Sequence, residues 1–445
     1  MITMSPRAPG VRVKRLARAL YVYAALEDFV LLYPVYALLF AETGLSVSEI
    51  SSLFIVGAVT GMLLEVPSGA WADAVSRRLL LSIGPLLAAA GFALWFLFPS
   101  YWMFALGFVL WNAGASLRSG SLEALVYEEL VRLDAAERYA TIMGRVRAVG
   151  LVSVAAATAA AAPVLAFGGY FALGTASVLT CLLCALAGTA LPETRGEAGA
   201  AVPASPEGAV SSLPEQPEQP EQSEERSERS VAPRAAEASD SPPEEASGRY
   251  VAVLRAGLAE VRDNRPVRGA LLLVSVVTAI WGGLEEYVPL LAAATGVSET
   301  AVPMLVLVVW GGVAAGGLLA GVAGRLPVRT FAVLLAVASL AMAAGALTRQ
   351  PVGLVLVGAG FCVFQLSSVI ADARLQQTIT GPSRATVTSL AGIGMDGGTV
   401  LVYGVYAAVS SFTGHGVVFA LFAVPYLCVA LAMAYGGRGG AAPTR

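Results

Sequence analysis

The sequence is poor in charge and almost without lysine and histidine. Only 13% of the 445 residues are charged, against about 25% in soluble proteins, so a water-soluble fold of this size could not cover its surface. The one lysine, Lys14, does not stand in a P-loop sequence, so this chain does not bind ATP by such a loop. The one histidine, His415, is interpreted as a solvated turn residue, which excludes histidine-based metal sites and catalytic triads.

Cysteine is scarce too, with four in the chain. Cys181 and Cys184 form a CxxC inside an apolar run, which indicates two small packing residues on one helix face rather than a redox pair. No nucleophile–base pair or cofactor loop is readable. We therefore expect a protein that is not an enzyme, carries no cofactor or metal, and has no nucleic-acid partner.

Long apolar runs dominate what is present. A helix needs about 20 apolar residues to cross the hydrocarbon core of a bilayer. Twelve stretches meet this length, at roughly 17–40, 48–71, 79–98, 102–127, 145–166, 170–191, 268–294, 302–323, 330–348, 352–373, 386–411 and 416–435. Because such continuous runs are helical, the sequence predicts an all-α polytopic membrane protein with twelve transmembrane helices in two six-helix bundles.

Basic residues alternate between the loops. They occupy the N-terminal tail and the second, fourth, eighth and tenth loops, whereas the odd-numbered loops are almost bare, with Arg349 as the exception. Lysine and arginine concentrate on the cytoplasmic side of membrane proteins. We therefore expect both termini to be cytoplasmic.

The composition divides the chain into five segments. Residues 1–192 form the first predicted bundle and 266–436 the second. Between them, residues 193–249 are rich in proline and glutamate, which indicates a disordered acidic cytoplasmic linker. Helical spacing over 250–265 predicts an amphipathic helix on the membrane surface, and 437–445 form a cytoplasmic tail.

The second predicted loop carries a motif that identifies a family. Residues 69–78 resemble the loop signature of the major facilitator superfamily, with Gly69, Asp73, Arg77 and Arg78 in matching places. Ala74 and Ser76 depart from it, where a basic residue and a second glycine are usual. The preceding residues 64–68 resemble bacterial exporter-like members. The resemblance implies the twelve-helix fold of that family, a transporter, and the bacterial cytoplasmic membrane as its location. The antiporter signature of the fifth span is absent.

The same loop predicts a latch. Gly69 permits close approach of two helices, and Asp73 stands where a carboxylate can face the positive N-terminus of another helix, which by resemblance is span eleven. Arg77 is expected to pair with Glu128 or Glu129 at the end of span four. Together these residues, with Arg78, would hold the cytoplasmic side closed. The alternative is a plain basic turn.

Several ionisable residues lie at membrane depth, which marks them as candidates for proton coupling or substrate binding. They are Glu27, Asp28, Arg118, Glu123, Glu285, Glu286 and Asp396. Adjacent residues on a helix point about 100° apart, so one of Glu27 and Asp28 is expected to line the cavity and the other to pair with a neighbouring helix. The alternative is that each acid is paired, Arg118 being one partner, and only holds helices together. Aromatic residues such as Tyr33, Tyr36 and Trp111 are candidates for an amphipathic pocket.

These observations favour a monomeric secondary transporter that works by alternating access. Its expected partners are a small organic molecule, protons and the lipid bilayer. Proton-coupled efflux of an amphipathic or cationic molecule is the leading hypothesis, because the acids favour a proton or a cation. Proton-coupled uptake of a nutrient is the alternative, and a non-transporting receptor or scaffold is a third possibility.

Overall fold

The computed structural model describes residues 9–193, 261–324, 326–379 and 384–436, and in these ranges the regular structure is entirely helical. The predicted linker (193–249) lies outside the described residues apart from Glu193, as does the predicted tail (437–445). Of the amphipathic helix predicted at 250–265, only the end is described: residues 261–263 are helical, and Asn264 separates them from the next helix.

The N-terminal half (9–193) contains seven helices. They are α1 (Pro9–Asp28), α2 (Tyr36–Glu42), α3 (Val47–Ala74), α4 (Arg77–Leu97), α5 (Tyr101–Arg118), α6 (Ser121–Arg132) and α7 (Tyr139–Thr189), with a 3₁₀ turn at Ala136–Arg138. The 51-residue α7 contains the fifth and sixth predicted spans. Its backbone leaves helical geometry at Gly169, where φ is 60°, a conformation that glycine adopts without the steric cost of a side chain.

After the helical end at 261–263, the described residues of the C-terminal half (261–436) contain seven further helices. They are α8 (Arg265–Glu285), α9 (Val288–Ala293), α10 (Val302–Ala323), α11 (Val328–Leu347), α12 (Gly353–Thr378), α13 (Arg384–Ser410) and α14 (His415–Gly436), with a 3₁₀ turn at Glu299–Ala301. Within the described residues, nine helical stretches are long and apolar enough to cross a membrane. The prediction of an all-α polytopic membrane protein is confirmed.

Three predicted spans differ from the expected continuous helix. Span one is α1 and α2, separated at residues 29–35, and span seven is α8 and α9, separated at Glu286 and Tyr287. Pro34 and Pro289 stand at or just after these breaks, and proline cannot donate the backbone hydrogen bond that would continue a helix. Span four is broken at Ser119 and Gly120, where Gly120 has φ 73°.

The two ends of the helical bundle differ in charge. We call one end the arginine face, because α4 begins there with Arg77, α6 ends there with Arg132, and α11 begins beside Arg329. The opposite end is called the glutamate face, because Glu42 ends α2 there, Glu49 lies in the first turn of α3, and Glu299 precedes α10.

The halves meet closely beside the glutamate face, where α3 packs against α13 and α7 against α10. The Ser48 hydroxyl donates to the Ala407 carbonyl (3.4 Å), and the Tyr287 hydroxyl donates to Ser51 Oγ (2.7 Å). The ring of Phe54 lies 5.3 Å from that of Tyr287, measured between centroids. These contacts close the interface between the halves on that side.

Candidate functional site

A cavity of about 500 Å³ lies between the two halves. Such a volume is typical of small-molecule sites. Its lining residues are Tyr33, Tyr36, Trp111, Leu151 and Val154 from the N-terminal half, and Glu285, Glu286, Pro289, Trp310, Val313, Ala314, Gly317, Leu318 and Gln365 from the C-terminal half. We call it the central cavity. Both halves are needed to form it.

The two acids of the central cavity stand at the break in span seven. Glu285 is the last residue of α8, and Glu286 is the residue that follows it. Both carboxyl groups are only partly exposed, and among the described residues neither has a hydrogen bond or an ion pair. No arginine or lysine lines the described wall of the cavity. The C-terminal half therefore contributes two acids that no described residue of the cavity lining neutralises.

The N-terminal half contributes an aromatic wall. Tyr33 and Trp111 are stacked with their ring centroids 5.4 Å apart and their planes 25° apart, and Tyr36 meets Trp111 edge-on at 6.2 Å. This wall continues into a cluster of buried rings that includes Phe92 and Trp95. Rings packed this way have little freedom to reorient, so the wall presents a defined apolar surface.

Glu27 and Arg118 lie behind that wall as an ion pair. Arg118 Nε is 2.7 Å from Glu27 Oε1, and both border a small cavity that Tyr33 and Trp111 separate from the central one. The arginine has room because α4 carries Gly84, where a Cβ atom would lie 2.7 Å from Arg118 Cγ. Asp28 instead packs on α7, so close to Gly150 that a Cβ atom there would clash with it.

Neither Glu27 nor Asp28 is among the residues that line the central cavity, which differs from the expectation that one of them would. The reason is their depth in the span. Seventeen positions separate Glu27 from Gly44 in the turn after α2, whereas eleven separate Glu285 from Gly296 in the equivalent turn. The acids of span one therefore lie further from the glutamate face than those of span seven.

A second cavity of about 300 Å³ lies between α3, α5 and α13. Asp396 of α13 and Glu65 of α3 both line it, together with Asn112 and Ser116 of α5. It stands nearer the arginine face, since Glu65 comes eleven positions after Phe54 along α3. The structure thus brings one carboxyl group from each half to the same space.

The described part of the predicted latch lies at the arginine face. Arg77 Nη1 is 2.5 Å from Glu128 Oε1, the first of the two partners expected for it. The Ser76 hydroxyl and the Arg77 backbone N–H (2.9 Å) both donate to the carboxylate of Glu193, which follows the sixth span. Arg78 is exposed. The surroundings of Gly69 and of the Asp73 side chain are not among the described parts of the structure.

Two further residues differ from their interpretation. Glu123, placed by sequence at membrane depth, lies in the first turn of α6, just after the break in span four, and forms an exposed ion pair with Arg147 (3.3 Å). His415 is the first residue of α14 rather than a solvated turn residue, and its Nδ1 lies 2.7 Å from the Tyr406 hydroxyl. Cys181 and Cys184 are free, buried thiols on α7, and the Cys184 sulfur lies 3.8 Å from the Tyr23 carbonyl oxygen.

Sequence reasoning missed several polar residues of the two cavities, among them Glu65, Asn112, Trp310 and Gln365. The rule that marks ionisable groups at membrane depth would have found Glu65, which lies inside the second predicted span. No comparable signal marks the other three, because neutral polar side chains are common in membrane helices. Among the described residues, no group of three or more His, Cys, Asp or Glu side chains is placed to hold a metal ion.

A third carboxyl pair lies on the glutamate face. Glu42 of α2 faces Glu299 and Tyr170, so that residues from both halves meet there. Partial burial, the hydrogen bond to Glu299 and repulsion from its charge raise the pKa of Glu42 to about 7. The approach of two carboxyl groups is favourable only while they share a proton.

Comparison with known proteins relates the fold to transporters. The model of the Major Facilitator Superfamily matches residues 20–395. The structure is similar to that of the nucleoside transporter NupG (TM-score 0.67, 12% identity, covering 95% of this chain and 98% of that one). It is also similar to a D-xylose-proton symporter (TM-score 0.64, 12% identity, 95% and 97%) and to an auto inhibited POT family peptide transporter (0.60, 13%, 97% and 98%). No curated protein matches the chain in sequence.

Proposed function

The chain belongs to the major facilitator superfamily, and from this premise we propose that it is a proton-coupled secondary transporter that moves a small organic molecule by alternating access. The observation that carries the proposal is the central cavity, which both halves line and which their contacts close on the glutamate side. A cavity built from two halves can be exposed to either side of the membrane in turn when the halves rock.

The charge of the two faces supports an orientation. Arg77, Arg132 and Arg329 lie on the arginine face, and arginine concentrates on the cytoplasmic side. The glutamate face is then external. In this orientation the described structure has its outer side closed. The location we propose is a bacterial cytoplasmic membrane, with the protein working as a monomer.

Proton coupling has carboxyl candidates in both cavities. Glu285, Glu286 and Asp396 are partly exposed to cavity space, Glu27 lies behind the aromatic wall, and Asp28 packs on α7. An unpaired carboxylate at membrane depth is costly, so such a group tends to take up a proton. A carboxyl group that binds a proton on one side and loses it on the other can couple transport to the proton gradient.

We propose efflux by exchange with protons as the direction, because unneutralised acids in the cavity suit competition between a proton and an outgoing molecule. Uptake together with protons is the second candidate, and the similarity to a protein described as a D-xylose-proton symporter supports it. A receptor or scaffold that does not transport is disfavoured, because it has no need of a cavity shared by two halves.

A vesicle experiment separates these functions. The full chain is reconstituted into vesicles, a pH difference is imposed, and the movement of protons is followed while candidate molecules are added to one side. Efflux by exchange predicts that a substrate dissipates an acidic interior when added outside, and uptake with protons predicts that it acidifies the lumen. No coupled proton movement with any of a broad set of organic molecules would contradict proton coupling.

The latch is part of the same proposal. Arg77 is paired with Glu128 at the arginine face. Asp73 belongs to the last turn of α3, four residues before Arg77. Asp73→Asn is expected to reduce transport sharply while leaving the amount of protein in the membrane unchanged. Glu137→Gln, an exposed acid on the same face, serves as the control. Normal transport by the Asp73 variant would contradict the latch.

A further inference from the structure

The central cavity has one charged wall and one aromatic wall. Glu285 and Glu286 project from the broken span seven, and Tyr33, Tyr36 and Trp111 form the facing contribution of the N-terminal half. A ligand that fills this space meets negative charge from one half and ring faces from the other. The two walls therefore select a ligand by two independent properties: its charge and its apolar surface.

No basic group among the described residues that line the central cavity offsets the two acids. Arg118 borders the neighbouring small cavity, but it lies beyond Tyr33 and Trp111 with its Nε 2.7 Å from Glu27. The charge of Arg118 is therefore balanced by Glu27 and does not offset the acids of the central cavity. Glu285 and Glu286 have neither a hydrogen bond nor an ion pair among the described residues. A bound cation would therefore stabilise their ionised forms, whereas a bound proton would convert them to the neutral forms.

The remaining lining argues against polyhydroxylated ligands. Apart from the acids and the aromatic residues, Gln365 is the one polar side chain on the described lining, and Val154, Val313 and Leu318 are among the apolar ones. Sugars need many hydrogen bonds to replace those they lose with water. Aromatic faces beside carboxylates suit a different class, since rings attract cations and bury apolar surface.

We infer that the central cavity binds an organic cation with an aromatic or other apolar body, its charge at Glu285 and Glu286 and its body against Tyr33, Tyr36 and Trp111. This assignment rests on the proposed function and adds a substrate class to it. Protons and the cation then compete for the same two carboxylates. Binding of the cation to a protonated site releases a proton into the solvent, which is the exchange that efflux requires.

Equilibrium binding to the purified full chain tests this inference. The probe is tetraphenylphosphonium, a cation with four phenyl groups, and the matched control is tetraphenylborate, an anion of nearly the same shape. Tetraphenylphosphonium is expected to bind saturably at pH 8 and at least tenfold more weakly at pH 5, because protons occupy the acids. Tetraphenylborate is expected not to bind saturably. Equal binding of the two ions, or cation binding independent of pH, would overturn the inference.

Variants locate the site. The double change Glu285→Gln and Glu286→Gln keeps the side-chain shape and is expected to weaken cation binding at pH 8 at least tenfold, and Glu286→Gln alone provides a milder variant should the double one misfold. Trp111→Leu is expected to weaken it severalfold, whereas Trp102→Leu, whose indole is 75% exposed, should leave it unchanged. Unaltered binding by folded acid variants would also overturn the inference.

These outcomes separate the ligand class from transport itself. Rocking of the two halves can be measured by distances between labels on the two faces, without any ligand. If the halves rock but tetraphenylphosphonium does not bind, the cation assignment is wrong and the proposed function stands. If the halves do not rock, the proposed function fails, whatever the cavity binds.

Discussion

At the scale of single residues, the ion pair of Arg118 and Glu27 yields a prediction about stability. Removing the arginine leaves a carboxylate without its partner inside the N-terminal half, because Glu27 has its charge balanced by Arg118 at 2.7 Å. Loss of one member of a buried pair costs about 3–5 kcal/mol, whereas apolar replacement of both is often neutral. Arg118→Met is therefore expected to lower the unfolding temperature in detergent, and the double variant with Glu27→Leu to restore it.

The exposed pair of Arg147 and Glu123 is the matched control. Its side chains are 77% and 52% exposed, and exposed ion pairs contribute little because water screens them. Arg147→Met should leave the unfolding temperature nearly unchanged. A loss as large as that of Arg118→Met, or a double variant no better than the single one, would contradict a buried, mutually dependent pair.

A second residue-scale prediction concerns proton coupling. Glu27, Asp28, Glu285 and Asp396 are changed one at a time to the matching amide, which keeps the shape but cannot lose a proton. At least one variant is expected to retain transport while losing its dependence on the pH gradient, with Glu285 favoured because it lines the central cavity. Flux in vesicles with and without the gradient gives the answer. Gradient-driven transport in all four variants would disprove carboxylate coupling at these positions.

How far the sequence predicts such residues depends on what decides their positions. The rule that an ionisable group is costly at membrane depth singled out Glu285, Glu286 and Asp396. All three border a cavity. The same rule misplaced Glu123, which lies just after the break before α6 and forms an exposed ion pair with Arg147. The rule also could not predict whether Glu27 or Asp28 lines the central cavity. That depends on how span one packs against the helix that carries Arg118, which is tertiary structure.

At the scale of helices, close packing of α10 on α12 provides a test with adjacent glycines. A Cβ atom on Gly312 would lie 2.1 Å from the Gly358 carbonyl oxygen, whereas one on Gly311 would meet nothing within 4 Å. Gly312→Ala must push the helices apart, and overpacking costs about 1–3 kcal/mol. Thermal unfolding in detergent should show a loss for Gly312→Ala and none for Gly311→Ala. Equal behaviour of the two variants would contradict this contact.

Helix positions were predictable because length and apolarity suffice to define a span, and the breaks within spans were not. Hydropathy reads side chains, whereas the interruptions at residues 29–35 and at Glu286 and Tyr287 are backbone events. Pro34 and Pro289 were visible signals in the sequence, since proline ends the hydrogen bonding of a helix. The breaks matter because Glu285 and Glu286 meet the central cavity at one of them.

At the scale of the whole molecule, the segment between the halves is predicted to be a tether. Residues 200–245 hold a repeated Pro-Glu-Gln tripeptide and cannot form an apolar core. Deleting them is expected to leave transport and membrane abundance unchanged, because the halves contact each other directly through α3, α7, α10 and α13. Transport rates of the deleted and intact chains in vesicles provide the measurement. A large loss of transport at normal membrane abundance would show that the segment does more than tether the two halves.

The proposed rocking of the two halves is expected to depend on pH through Glu42. The pKa of Glu42 is raised to about 7 by partial burial and by Glu299 across the interface. Protonation below that pH favours the closed glutamate face. As the pH rises towards and through 7, Glu42 becomes charged beside Glu299 and the closed arrangement loses this stabilisation. Glu42→Gln should remove that dependence.

Distances between spin labels in vesicles report whether the two halves rock. One pair, Thr43→Cys and Ser298→Cys, spans the glutamate face, and the other, Glu137→Cys and Arg329→Cys, spans the arginine face, in a chain whose four native cysteines are replaced. From pH 5 to pH 8, we expect a growing population of long distances at the glutamate face and a growing population of short distances at the arginine face. One fixed distance for each pair, or widening of both faces together, would contradict alternating access.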